Sequence, residues 1–167
     1  DIGYGGVWDT ALSSDQPTVS IINTAQPATT ETTTFDCPLA SVISPGDYFT
    51  FGSTTTDFYG WYEVDGSSGN DPAVPSRTGV QIDINSGDSA SAVASTTATT
   101  LDTVSGVSSS NIGTNVTLTA DVAGEVDDFN DVSGNFSNVT ISTQGNTGQQ
   151  VTDITLSDDV ADGDRYE

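Results

Sequence analysis

The sequence predicts an α+β fold dominated by strands: an antiparallel sheet or sandwich with one helix, in the order β-β-β-α-β-β, with an extended N-terminal arm. Thr and Val, which favour strands, are abundant, as are Gly, Asp, Asn and Ser, which favour turns. Several short stretches alternate between apolar and polar residues, and one interior stretch has small and apolar residues at helical spacing. A chain of 167 residues is long enough for one ordinary domain.

Residues 1–44 are predicted to form an extended arm or linker. Trp8 follows a glycine-rich opening, and Ile21 and Ile22 form a short apolar patch. Residues 26–34 are a Thr-rich tract without a packing pattern, which is typical of an extended linker. Such an arm packs on a neighbouring subunit or folds back on its own domain, and the sequence leaves both open.

Residues 45–157 are predicted to form a single β-rich domain, followed by an acidic tail at 158–167. Its first two strands are rich in aromatic residues and read as a hairpin. The helix is predicted from N-cap residues at 86–89 and from helical spacing of residues such as Val93 and Leu101, with Gly106 as its stop. The predicted elements are, in order, strands at 48–51, 58–64 and 79–84, the helix, and strands at 115–122 and 136–143. A final short strand at Ile154 and Leu156 is left open.

The charge of the chain argues against two classes of partner. There are 24 acidic residues against two cations, Arg77 and Arg165, and the net charge is −22. Because little in the chain can neutralise phosphates, neither nucleic acid nor an anionic membrane surface is an expected partner. Neutral or basic surfaces and divalent cations remain, and a solvated coat without any partner is the simpler interpretation. No segment approaches the roughly 20 apolar residues of a membrane span, and a start at Asp1 rather than Met is expected of a processed or partial chain.

The common catalytic chemistries lack their residues. Because the chain has no His and no Lys, His-based acid–base catalysis, Schiff-base chemistry and His metal sites are excluded. Cys37 is the single cysteine, so no disulfide can form within the chain, and a buried free thiol is expected. Glu63 beside Trp61 is the one candidate for a glycosidase-type acid, and a solvated strand face is its ordinary alternative. We therefore predict no enzyme activity, no catalytic residue and no cofactor other than a calcium ion.

One loop has the pattern of a calcium site. Asp65, Ser67, Asn70 and Asp71 place oxygen ligands at nearly alternate positions, although no Glu follows at the twelfth position. The acidic run at 127–131 is a second cluster of this kind. Both stretches can equally be ordinary acidic turns, and a change in melting on chelation would distinguish the two interpretations.

A series of short motifs runs through the first part of the predicted domain. They are GDYFTF at 46–51, DFYGWYEVDG at 57–66, DPAVP at 71–75, RTGVQIDI at 77–84 and GDSA at 87–90. This series resembles a module of tailed-bacteriophage virion proteins of the head-decoration, neck, tail and fibre types, and of some large bacterial surface proteins. The resemblance covers about residues 45–105, implies a structural role in a virion, and brings no catalytic residues with it.

Charge, arm and resemblance together predict a virion structural protein, first of all a capsid decoration (cement) protein on the outer surface of a phage head. Its partners would be copies of itself and a major capsid or other virion protein, clamped by surface buried across subunit seams. The alternatives are a tail, neck or fibre component, and a secreted extracellular filament or surface-layer subunit that assembles by strand addition. Exposed aromatic residues anchor interfaces, and the apolar patch of the arm can pack on a neighbour. The expected contact residues are therefore Trp8, Ile21, Ile22, Tyr48, Tyr59 and Trp61. For Trp61 the alternative is a place in the domain's own core.

Overall fold

The computed structural model describes residues 18–67 and 70–157, with the backbone alone at 18–24 and 150–157. The chain divides into two compact units, one spanning Gln26–Gln149 and the other containing the first and last strands. The elements are β1 (Thr18–Gln26), β2 (Thr32–Asp36), a 3-10 turn (Ala40–Val42), β3 (Tyr48–Gly52), β4 (Asp57–Val64), β5 (Thr78–Ile84), α1 (Ala90–Leu101), β6 (Val107–Ile112), β7 (Asn115–Ala120), β8 (Asn130–Asp131), β9 (Ser137–Thr143) and β10 (Gln149–Ser157).

Two four-stranded sheets form the larger unit. The first has the order β6-β7-β2-β9 and is antiparallel throughout, and the second has the order β5-β4-β3-β8. In the second sheet β3 and β4 form the predicted antiparallel hairpin, whereas β4 and β5 run parallel. With one helix in the described part of the chain, this is the predicted β-dominated α+β fold.

Phenylalanine rings from both sheets form the centre of the core. Phe35 of β2 stacks on Phe129 with ring centroids 4.5 Å apart and lies 6.0 Å from Phe49 of β3. Phe136 meets Phe35 edge-on at 4.8 Å. Strand alternation places Phe35 and Phe49 between the sheets, and Phe129 and Phe136, which directly precede β8 and β9, pack against them. Burial of aromatic area therefore holds the sheets together.

The helix α1 is where its spacing predicted it. Ser89 caps it by accepting a hydrogen bond from the Ala92 amide, and the buried residues Val93, Thr97 and Leu101 lie on its inner face. It packs against β5, β6 and β7. The Thr97 hydroxyl is 2.8 Å from that of Tyr62, so the polar groups between helix and second sheet are paired with each other. Gly106, predicted as the stop, lies beyond the helix end with φ +92° and leads into β6.

The predicted boundary between arm and domain at residue 44 is wrong. Residues 32–36 lie in β2, a central strand of the first sheet, and Phe35 is fully buried. Thr33 and Phe35 face inward while Thr32 and Thr34 face outward, so the Thr-rich tract is a strand in which threonine occupies both faces. The compact unit accordingly begins near Gln26 and ends near Gln149, and the predicted last strand belongs to β10 of the other unit.

The strands β1 and β10 pair with each other in a two-stranded sheet. Ile21 and Ile22 are residues of β1, and Ile154 and Leu156 are residues of β10. The segment 18–26, predicted as part of an extended arm, is therefore a strand that pairs with the C-terminal part of the same chain. Trp8 and the predicted tail at 158–167 lie outside the described residues.

Candidate functional site

The predicted aromatic contact residues of β4 are buried in their own domain. Tyr59 and Trp61 are 4% and 6% exposed, which corrects the expectation that they are exposed anchors, while Tyr48 is half-buried. They share the outer face of the second sheet, where Trp61 stands opposite Tyr48 and the Tyr48 and Tyr59 rings meet edge-on at 6.5 Å. The connection 65–77, which carries the chain from β4 to the parallel β5, reaches this face, because the Tyr59 hydroxyl donates to Asp71 Oδ1 at 2.7 Å.

The four predicted calcium ligands serve the closure of this same connection. Asp65 accepts a hydrogen bond from the Ser86 amide. The side chain of Ser86 and then its amide lower the pKa of the Asp65 carboxyl group. Ser67 donates to the Val64 carbonyl and Asn70 donates to the Ser67 carbonyl. Asp71 accepts from Tyr59 and from the Ala73 amide. Asp65 thus holds the start of the connection against the residues after β5, and Asp71 holds its middle against β4. Calcium binding here stays a prediction.

The second acidic cluster is spread over different partners. Asp127 forms an ion pair with Arg77, and Arg77 also donates to the Phe58 carbonyl. Asp131 accepts from the amides of the turn that leads into β9, and Asp128 accepts from Gln144. No group of three or more Asp, Glu or Cys side chains suited to holding a metal ion occurs within residues 25–67 and 70–149.

Glu63, the predicted glycosidase-type acid, is half-buried on the outer face of the second sheet. It accepts a hydrogen bond from Gln81 on the neighbouring strand, and Gln81 donates also to Asp83. The site is thus a polar ladder across β4 and β5. Cys37 is a buried free thiol, as expected, and burial raises its pKa to about 12, so it is protonated at neutral pH.

A buried carboxylate was missed by the sequence reasoning. Glu31, just before β2, is 6% exposed and is the one buried carboxylate among the side chains described. Burial and the charge of Asp128 raise its pKa to about 7. The signal was available, because Glu31, Thr33 and Phe35 follow the two-residue period of a strand face that points inward.

The outer face of the first sheet is an ordered array of hydroxyl groups. In the strand register one row across the sheet contains four hydroxyl residues and the next row contains four more. The rows are Ser108, Thr119, Thr32 and Thr143, and then Ser110, Thr117, Thr34 and Thr140. Thr32 and Thr119 hydroxyl oxygens are 3.4 Å apart. We call these eight residues the hydroxyl face.

Charge is nearly absent from this face. The row beyond it contains Asp36, whose pKa is lowered by hydrogen bonds from Asn138 and Asn115, and the 88% exposed Ile112. Elsewhere on the described surface exposed carboxylates are frequent: Asp57, Asp65, Asp71, Asp83, Asp102, Asp121, Glu125 and Asp128. The hydroxyl face is therefore a neutral polar area on a strongly acidic molecule.

Comparison with protein-family models, with curated proteins and with solved structures finds no match to this chain. The resemblance to phage virion modules thus rests on the sequence motifs alone. Within residues 18–67 and 70–157, no helix has both the length and the apolar character needed to cross a bilayer.

Proposed function

We propose that this chain is a structural subunit of an assembled particle. In this proposal the particle is a tailed-phage head, and the chain is a decoration protein on its outer surface. The observation that supports this best is the hydroxyl face, a neutral array of eight Ser and Thr residues on a molecule of net charge −22. The motifs at 46–90 support the placement in a virion.

Electrostatics make the hydroxyl face the favourable contact area. Two copies with this net charge repel each other at long range, and a contact through carboxylates would also remove water from like charges. Hydroxyl groups can donate and accept, so they pair with a neighbouring protein surface without that cost. The partner expected on this face is a neutral, hydrogen-bonding surface of the major capsid protein or of another copy.

The size of the face sets how it is used. With strands about 4.8 Å apart and rows two residues apart, the eight residues cover roughly 300 Å². A stable pairwise interface takes about 800 Å² from each partner. One such contact is therefore weak, and retention on a particle needs further contacts from the same subunit or simultaneous contacts by several linked copies.

The alternative is a secreted filament or surface-layer subunit, and the β1–β10 pair is the observation that favours it. A two-stranded sheet is marginal alone and leaves strand edges that another chain can extend. The sequence of β1 contains no charged residue and that of β10 contains only Asp153, so copies could join there against little repulsion. Assembly would then proceed by strand addition into open fibres.

Sedimentation velocity and electron microscopy of the purified chain test the proposal. In about 1 M salt, charges more than roughly 3 Å apart are screened from each other, so the repulsion between copies is weak. Under these conditions the wild-type chain is expected to form closed oligomers. Thr117→Glu, in the middle of the hydroxyl face, is expected to remain monomeric, and Ser95→Glu on the exposed side of α1 is the matched control that still assembles. Open fibres would favour the filament, and closed oligomers that Thr117→Glu also forms would contradict the role of the hydroxyl face. A wild-type chain that stays monomeric in high salt would contradict the filament and self-association through this face, and would leave the major capsid protein as the partner of the face.

A further inference from the structure

Among the side chains that the structure describes, the buried carboxyl group that lies against another carboxylate is at the end of the sandwich near β2. Gln144 Nε2 donates to Glu31 Oε2 at 3.0 Å and to Asp128 Oδ1 at 2.9 Å. One amide therefore bridges two acidic groups from segments nearly a hundred residues apart. Glu31 is buried, whereas Asp128 is exposed.

Three segments of the chain meet at this bridge. The Glu31 carbonyl accepts from the Ala120 amide at the end of β7, and the Thr29 carbonyl accepts from the amides of Gly124 and Asn146. The residues after β7, the residues after β9 and the residues before β2 are thus held together by backbone hydrogen bonds around the two carboxyl groups. Repulsion between the Glu31 and Asp128 carboxylates, when both are ionised, therefore acts directly on the junction of these three segments.

An unsatisfied polar group marks the same site from the inside. Thr33 is 2% exposed and its Oγ1 has no hydrogen-bond partner within 3.5 Å. Thr33 and Glu31 line one small cavity between the sheets, which also reaches Asp127 and has room for about one water molecule.

The charges around Glu31 do not neutralise it. Asp128 is the charged group that acts on it, from the segment after β7. Asp127, on the same segment, is paired with Arg77, so the one cation nearby is already bound to another carboxylate. The segment after β9 contributes the neutral Gln144 and the Gly145 amide, which lowers the pKa of Glu31 less than burial and Asp128 raise it.

We propose that Glu31 and Asp128 form a proton-binding site that fastens the junction of the three segments when it holds one proton and loosens it when both groups are ionised. With a proton between them, the pair carries one negative charge and keeps both hydrogen bonds from Gln144. With none, two carboxylates face each other across a single amide, one of them buried. The fold is then most stable in mild acid, and alkali weakens this end of the sandwich.

The sign and size of the effect follow from linkage. The pKa of Glu31 in the folded chain is about 7 against 4.5 as the ordinary value. The folded state therefore binds the proton more tightly, and its stabilisation is complete below pH 4.5 and lost as the pH rises through 7. Between pH 8 and pH 5 the unfolding constant should fall roughly 70-fold through this group alone.

The decisive measurement is urea unfolding of the full chain between pH 5 and 8.5 at a constant 0.5 M salt, which screens the general acidic charge. Glu31→Gln keeps the shape, accepts from Gln144 and can donate to Asp128. It is expected to match or exceed wild-type stability at pH 8 and to lose most of the pH dependence. Asp121→Asn, an exposed carboxylate at the end of β7, is the matched control that keeps the wild-type slope.

A second readout does not depend on the variant's folding. The chain has four Glu residues, so a titration of Glu labelled at the carboxyl carbon gives four signals by NMR. One signal is expected to titrate near pH 7 and to shift towards lower pH in Asp128→Asn. Four signals that all titrate near the ordinary value, or a wild-type slope in Glu31→Gln, would overturn the proposal. The proposal would also be overturned if added calcium or sodium stabilised the wild-type fold at pH 8 and Glu31→Gln abolished that stabilisation, because the site would then bind a cation.

Discussion

Replacement of Gly60 by alanine tests whether the aromatic core is packed as tightly as its contacts indicate. Gly60 of β4 stands opposite Phe49 of β3, and the Phe49 ring lies over it. A β-carbon at residue 60 would be 2.8 and 2.9 Å from the Cε1 and Cε2 atoms of that ring. Phe49 is fully buried among Phe35, Phe129 and other rings, with centroids 5.2 Å from Phe129 and 6.0 Å from Phe35, so the ring cannot move aside freely.

The magnitude follows from two opposing effects. Overpacking a close-packed core costs about 1–3 kcal/mol, whereas glycine-to-alanine replacement recovers about 0.4–1 kcal/mol from the unfolded chain. Gly60→Ala should therefore lower the free energy of unfolding by about 1–2 kcal/mol and the melting temperature by several degrees. Gly87→Ala is the control, because nothing lies within 4 Å of a β-carbon there and its φ is not positive.

Urea unfolding and calorimetry on wild type and both variants give the comparison. Gly87→Ala is expected to be as stable as wild type or up to about 1 kcal/mol more stable. A Gly60→Ala chain that unfolds at the wild-type urea concentration would show that the rings have room to rearrange and that the core is not tightly packed at Phe49.

Four further substitutions, in three tests, probe polar contacts. Tyr62→Phe and Thr97→Val each break the 2.8 Å hydroxyl pair, and each should lower the free energy of unfolding by about 1 kcal/mol in urea. If the two hydroxyl groups are coupled, the double variant should lose less than the sum of the two single losses. Tyr59→Phe removes the hydrogen bond to Asp71, so limited proteolysis should cut the 65–77 connection faster, and an unchanged cutting rate would contradict this anchoring. Asp36 has a lowered pKa, so its ionised carboxylate stabilises the fold above pH 3.8, and this stabilisation is lost as the pH falls further. Asp36→Asn should therefore make the free energy of unfolding depend less on pH between about pH 5 and 2.5. A variant with the wild-type pH dependence would contradict this role of Asp36.

The elements predicted best were those with a strong local signal. The strands of the β3–β4 hairpin are aromatic-rich runs separated by a polar turn, and α1 combines a Ser cap with helical spacing, so both could be located from the sequence. β2 was missed because threonine is as common in linkers as in strands, and only the inward positions of Thr33 and Phe35 distinguish the two. β6 was missed because its run of serines carries almost no apolar signal, and pairing with β7 decides its structure.

The candidate sites were harder to predict than the fold. Trp61 is buried, and with aromatic residues on both faces of β4 no local pattern tells which face another segment will cover. The hydroxyl face and the Glu31–Asp128 pair both depend on register between strands far apart in sequence. Single-strand periodicity can place a residue on a face, but it cannot identify the residue across from it.

The abundance of aspartate has a structural cause that limits what net charge alone can say about function. Many of the described aspartates accept amide hydrogen bonds in turns, as Asp47 does from Ser44, Asp88 from Asn85 and Asp102 from Ser109. The negative charge of these carboxylates accompanies their role in forming turns. Glu31 differs, because it is buried and faces another carboxylate. Of the described acidic side chains, Glu31 is therefore the one at which adding or removing a proton near neutral pH should change the fold's stability most.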